Sequence, residues 1–264
     1  MGYILLWIMN PHRLPIKSWK QELTFAGAGL TGMTLYYLME NIALTYSQAS
    51  NVGVIVSIAP VFTAITAHIF LKEEGKLRPA FFMGCVIALI GISLISFSGT
   101  TMHLNPIGDL LSVGGAIIWS FYSVLSKKIG SFGYSVVQAT RRTFFYGILF
   151  MIPALFIFDF KWDLIRFATP AYLFNIFYLG LGASAICFVT WNMAVRILGA
   201  IKTSVYIYLA PVVTAVTSVI ILHEKITFLS GLGILLVVGG LLLSEQKKKF
   251  FSIRGRKQAE NVIE

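Results

Sequence analysis

The chain of 264 residues is 57% hydrophobic and only 12% charged, with a formal net charge of +10 and a mean hydropathy of +0.80. A soluble domain carries about 25% charged residues, so this composition excludes a water-soluble fold. The basic excess does not point to nucleic acid, because Lys and Arg sit between apolar runs instead of forming a solvated face with stacking aromatics.

The apolar residues come in runs of about 20, the length a helix needs to cross a bilayer core of about 30 Å. Stretches such as 231–243 do not alternate polar and apolar residues, which excludes a membrane barrel. The expected fold class is therefore all-α integral membrane. The first run, Gly2 to Met9, reaches only about 12 Å as a helix, too short to cross. It has no basic flank before it and no small-residue cleavage site after it, so it reads as the end of a span and not as a signal peptide. Eight complete spans are predicted after it, at about 22–46, 50–71, 79–98, 107–126, 136–158, 170–195, 201–222 and 227–244.

Within the first complete span, Gly27-Ala28-Gly29-Leu30-Thr31-Gly32 spells GxGxxG. No strand precedes it and no ribose-binding acid follows at about 20 residues, so it reads as small residues for close helix packing. Glu40 is the carboxylate expected well inside an apolar run, roughly 9 Å from the outer end of its helix. An intramembrane carboxylate is costly. It is either a protonatable site, a partner for a substrate amine, or a structural hydrogen-bonding group.

Pro60 and Pro211 fall near the middle of their spans. Each lacks an N–H, which releases the carbonyl four residues earlier, at Val56 and Ile207. A lone proline is readily a packing kink, but matched midplane breaks point to a transport site. Asn41, Ser57 and Asn192 are assigned to the same pathway. Trp119, Tyr122, Trp191, Tyr206 and Tyr208 suit either a ring-stacking or cation-cupping cavity or plain core packing. Arg141 and Arg142 open the span at 136–158. One is expected to snorkel to the interface; the other, taken as Arg141, is expected to face the cavity and meet an anionic substrate group. Cys85 and Cys187 fall inside spans with no CxxC spacing and read as packing residues. His12, His68, His103 and His223 form no ligand spacing and read as interface residues, and no metal or other cofactor is expected.

Placing Lys and Arg in alternate loops collects nearly all of them on one side, including Lys17, Lys76, Lys127, Arg142, Arg196 and Lys202. The other side holds Lys161, Arg166 and Lys225. The rich side is expected to be cytoplasmic, with the protein in a bacterial inner membrane and the basic tail at 246–264 lying near anionic headgroups.

The sequence also repeats itself at an offset of 151 positions, the difference between Asn41 and Asn192. The offset aligns Ala43 with Ala194, Pro60 with Pro211 and Glu73 with Glu224. Residues 59–66, APVFTAIT, lie over residues 210–217, APVVTAVT, without a gap. The span with Pro60 is expected to run inward and the span with Pro211 outward, so the repeats are inverted, an arrangement that lets one central site open alternately to each side.

With its Gly108-Asp109-Leu110 segment leading to Ala116, Trp119, Ser120, Phe121 and Tyr122, its two proline runs each followed after thirteen residues by a glutamate, and its Gly84/Gly91 and Gly233/Gly240 pairs, the chain resembles the EamA-type transporters of the drug/metabolite transporter superfamily. That resemblance implies ten helices in two five-helix repeats, here a first repeat at 1–98 without its first helix and most of its second, and a second repeat at 104–245. It also implies a secondary transporter exporting amino acids or similar small metabolites by alternating access. Its partners would be the small-molecule substrate and the lipid bilayer, with assembly into a homo-oligomer left open. No ATP-binding motif suggests a primary pump, and no convergent set of acids, bases or metal ligands suggests an enzyme. The alternatives are an inactive, N-terminally truncated fragment or a membrane protein that does not transport.

Overall fold

The computed structural model describes residues 1–15, 17–71, 79–97, 105–158, 169–222 and 227–245. Within them the chain is helical and contains no strand. Its elements are α1 (Gly2–Met9), α2 (Trp19–Gly29), a π-helical segment (Leu30–Leu35), α3 (Tyr36–Tyr46), α4 (Ala49–Val56), α5 (Ala59–Phe70), α6 (Pro79–Ser96) and α7 (Pro106–Gly130). There follow α8 (Val136–Ile157), α9 (Pro170–Phe177), a second π-helical segment (Tyr178–Ile186), α10 (Cys187–Leu198), α11 (Ala200–Val205), a 3₁₀ turn (Tyr206–Tyr208), α12 (Leu209–Leu222) and α13 (Phe228–Glu245).

The boundaries have local causes. Ser18 caps α2 by accepting from the Lys20 N–H at 3.3 Å. Asn105 caps α7 through its side-chain oxygen, which accepts from Ile107 and Gly108, and Pro106 supplies a preset φ at the first helical position. Gly199, at φ 95°, turns the chain from α10 into α11, a conformation that L side chains rarely adopt.

Among the described residues, seven helices are long and apolar enough to cross a membrane: Ala49–Phe70, Pro79–Ser96, Pro106–Gly130, Val136–Ile157, Pro170–Leu198, Ala200–Ile221 and Phe228–Glu245. The span expected at 22–46 is present as a continuous helical run from Trp19 to Tyr46 but is not one of the seven. Its Thr, Gly and Tyr residues, with Glu40, lower its hydropathy below that of the others.

The helices pack into two apolar clusters. One gathers Leu6, Phe25, Tyr122, Phe144 and Phe188 from α1, α2, α7, α8 and α10. The other gathers Phe81, Ile92, Val205, Tyr208 and Val237 from α6, α11, the 3₁₀ turn and α13. Large side chains such as Ile90, Phe156, Leu235 and Leu242 point outward, as expected where lipid and not water is the solvent.

Glycine brings α6 and α13 together backbone to backbone. A Cβ on Gly84 would lie 2.5 Å from the Gly240 carbonyl oxygen, and one on Gly91 would lie 2.6 Å from that of Gly233. The GxGxxG segment also serves packing. A Cβ on Gly29 would lie 2.6 Å from the Gly147 nitrogen of α8, and Gly32 sits against the Tyr122 ring.

One expectation needs correction here: Cys85 is buried as expected, but Cys187 is exposed on α10 and fills no core. Glu22, at the start of α2, is buried against α8, where it pairs with Arg142. Glu73, Glu224, His103, His223, Lys76, Lys161, Arg166, Lys225 and the tail at 246–264 lie outside the described residues.

Candidate functional site

A cavity of about 710 Å³ opens between α3, α4, the end of α6, α12 and the start of α13. Its walls include the two places where long helices are interrupted. On the first, α4 ends at Val56 and α5 restarts at Ala59, so Pro60 lies in the first turn of a new helix instead of kinking a continuous one. The proline has no N–H for the Val56 carbonyl, and the chain tightens into a turn, with the Ile58 N–H donating to Ile55 at 3.1 Å. On the second, the 3₁₀ turn Tyr206–Tyr208 precedes α12, and Pro211 stays within that helix near its start. Val56 and Ile207, the residues four before each proline, both line the cavity.

Glu40 is half-buried on this wall. It accepts a hydrogen bond from the Tyr36 hydroxyl one turn earlier, at 3.0 Å. Hydroxyls complete the polar lining, from Ser50, Ser57, Ser96, Thr214, Thr227 and Ser230, and the rest is aliphatic. No sequence signal singled out these hydroxyls apart from Ser57, because serine and threonine are common in membrane helices. Thr214 did fall inside the matched proline block.

Behind Glu40 lies an aromatic cluster. The Tyr36 ring stands 4.8 Å from Trp119, which stands 5.1 Å from Tyr122 and 5.2 Å from Trp191. Phe188 closes it, 5.7 Å from Tyr122. The indole N–H groups of Trp119 and Trp191 are buried and have no acceptor among the described residues.

Beyond the rings, Asn192 ties three helices together. Its side-chain oxygen accepts from Tyr122 at 2.8 Å and from Ser126 at 2.5 Å, and its amide donates to Thr140 at 2.9 Å. These bonds satisfy both of its polar atoms. A crevice of about 20 Å³ lies beside them, toward Ile129, Tyr134 and Arg196.

Of the expected site residues, Glu40, Ser57 and Pro211 stand on the cavity wall, while Trp119, Tyr122, Trp191 and Asn192 form the adjoining aromatic and polar cluster. Four lie elsewhere. Asn41, the repeat mate of Asn192, is exposed and donates back to the Tyr37 carbonyl at 2.7 Å. Pro60 and Tyr208 are buried, Tyr208 in the core beside Cys85. Arg141 is buried, with its guanidinium donating to the backbone carbonyls of Asn10 and His12 and lying 3.8 Å over the Trp7 ring, so it anchors the segment after α1. Arg142 is the partner of Glu22, at 2.8 Å, and the Tyr146 hydroxyl donates to the same carboxylate oxygen at 2.6 Å. Sequence reasoning missed Glu22. Its position four residues past the α2 cap, beside Lys20 and Gln21, reads as a solvated flank.

Comparison with known proteins bears on this arrangement. An "Uncharacterized transporter" of Archaeoglobus fulgidus is 26% identical over 93% of this chain and 83% of its own length. The "Uncharacterized transporter YvbV" of Bacillus subtilis is 28% identical over 94% of this chain and 80% of its own. A "Probable terminal-alkyne amino-acid exporter" of Streptantibioticus cattleyicolor is 26% identical over 83% of this chain and 71% of its own. A solved crystal structure superimposes with a TM-score of 0.70 over 92% of this chain and 82% of its own, at 20% identity, a likeness of fold. The profile of the EamA-like transporter family matches residues 1–97 and 106–245. A helical chain with seven membrane-length apolar helices among its described residues and a cavity set among its helices, matched almost throughout by that profile, is a multi-pass membrane protein and belongs to the EamA-like transporter family.

Proposed function

We propose that this protein is a secondary transporter that carries small polar metabolites, amino acids or related amines among them, out of the cell by alternating access. The observation that carries the reading is the cavity, whose walls combine a carboxylate, Glu40, with both helix interruptions, at Val56 and Ile207. Interrupted helices around a midplane cavity are the means by which a membrane protein presents backbone polar groups to a solute.

We read the repeats as inverted and the basic loops as cytoplasmic, in an inner membrane with the C-terminus inside. On that orientation the cavity walls come from the outer ends of α3, α4, α6 and α13 and from the middle of the span that holds Ile207 and Pro211, and the Asn192 network with its crevice lies toward the cytoplasm. The conformation is then open outward and closed inward. The exporter named among the relatives supports amino acids as a substrate class.

Reconstitution of the purified chain in liposomes tests this reading. Liposomes preloaded with an amino acid or amine should show counterflow of the labelled compound for at least one member of a panel. Pro211→Ala should reduce it. Absence of counterflow for every member, from correctly inserted protein, would refute the transporter reading for this chain.

A further inference from the structure

We infer that the cavity beside Glu40 selects organic monocations, that is, amines on a short aliphatic body, over the zwitterionic amino acids that carry the same amine. The inference rests on the cavity being the substrate site proposed above.

Its ground is the charge inventory of the wall. Among the described residues lining the cavity, Glu40 is the sole charged side chain. The Tyr36 hydroxyl is its one hydrogen-bond donor among the described residues, which leaves acceptor capacity on the carboxylate for an ammonium group. A carboxylate arriving with that ammonium would find no cation among the described residues of the wall. The nearest competing donors are hydroxyls, and that of Ser57 is already spent on the Gly53 carbonyl at 2.6 Å.

The arginines and the lysine that reach into the described helix bundle are committed elsewhere. Arg141 donates to the Asn10 and His12 carbonyls, Arg142 to Glu22, Arg196 to the Tyr134 carbonyl and Lys127 to the Arg196 carbonyl. The unpaired indole N–H groups of Trp119 and Trp191 are buried behind the ring of Tyr36 and do not line the cavity. An unpaired carboxylate taken from water into such a site bears its full desolvation cost, whereas the amine meets a carboxylate already in place. The body of the ligand follows from the rest of the wall, where Leu44, Val52, Val56, Ile95, Ile207 and Val219 are aliphatic and no aromatic ring takes part among the described residues. A volume of about 710 Å³ falls in the range of small-molecule sites.

Three compounds built on the same branched four-carbon unit test the selectivity: isobutylamine, valine and isovalerate, each titrated against the full chain in lipid nanodiscs while the melting temperature is followed. Isobutylamine should raise it saturably, valine should need at least about ten times the concentration, and isovalerate should leave it unchanged. Glu40→Gln should weaken the isobutylamine response by about tenfold or more. Should that variant fail to fold, Thr214→Lys, which puts a cation on the facing wall, should weaken it in the same way. Valine binding as tightly as isobutylamine, in a manner lost with Glu40→Gln, would overturn the selectivity and leave the cavity as the site. An isobutylamine response untouched by either variant, or no response to any of the three from protein that shows counterflow of another solute, would overturn the selectivity and the cavity reading together.

Discussion

The hydroxyl of Tyr122 on α7 donates to the side-chain oxygen of Asn192 on α10 at 2.8 Å, and Ser126, one turn further along α7, donates to the same atom. One amide therefore holds two hydroxyls in the core. Asn192→Ala would strand both donors and Thr140, and a buried polar group left unsatisfied costs about 1–3 kcal/mol. The variant is expected to melt several degrees below the parent. A cysteine at Ile129, which borders the crevice beside this network, should label faster in the Asn192→Ala background. Unchanged melting and labelling would mean that water or a neighbour replaces the amide at no cost.

Two adjacent glycines on α13 should give opposite results. A Cβ at Gly240 would lie 2.5 Å from the Gly84 carbonyl and 2.6 Å from the Ala88 nitrogen, both rigid backbone, while one at Gly239 would meet nothing within 4 Å. Gly240→Ala should destabilise by about 1–3 kcal/mol through overpacking. Gly239→Ala should be neutral or stabilising by up to about 1 kcal/mol. Thermal melting in detergent compares the two directly, and equal effects would contradict the backbone contact.

Arg142→Met leaves the buried Glu22 carboxylate without its cation. Breaking a fully buried pair costs about 3–5 kcal/mol. Because the Arg142 side chain is 25% exposed, the expected loss is smaller, about 1–3 kcal/mol. The double variant Glu22→Gln/Arg142→Met should recover part of it, and a double-mutant cycle measures the coupling. Additive losses would show that the two residues act separately.

The orientation is open to cysteine labelling. Single cysteines at Gln48, Thr101 and Asp163 should react with an impermeant thiol reagent from outside intact cells, and one at Lys127 should not. Gln48 is the better choice over Ser47, which is buried and donates to the Asp109 carboxylate at 3.2 Å. The reverse pattern would invert the topology.

The helical membrane fold could be read from the sequence because its causes are local: runs of apolar residues, prolines, and glycines spaced to face another helix. The Gly84/Gly91 and Gly233/Gly240 pairs, which help carry the family resemblance, meet across α6 and α13. Glu40 stood out because a carboxylate among apolar neighbours is expensive wherever the helix goes. The roles of Arg141 and Arg142 could not be divided the same way. Helical geometry separates them by about 100°, but it does not say that the Asn10 and His12 carbonyls wait on one side and Glu22 on the other. Asn192 poses the same difficulty, since its partners Tyr122, Ser126 and Thr140 are distant in sequence and nothing at Asn192 itself distinguishes it from Asn41. The helix is interrupted just before Pro60, at Ser57 and Ile58, but the form of the interruption, a turn that ends one helix and begins another, depends on packing that the local sequence does not show.

The glycine seam between α6 and α13 limits what the rest of the protein can do. Where two helices touch main chain to main chain there are no rotamers to rearrange, so one helix can slide along the other only by lifting its carbonyls over those of its neighbour. With Gly84 against Gly240 and Gly91 against Gly233, that obstruction occurs at two levels along the axis and forbids both sliding and scissoring. In the alternating-access reading proposed above, the pair is therefore a stator, and the moving parts are helices other than α6 and α13.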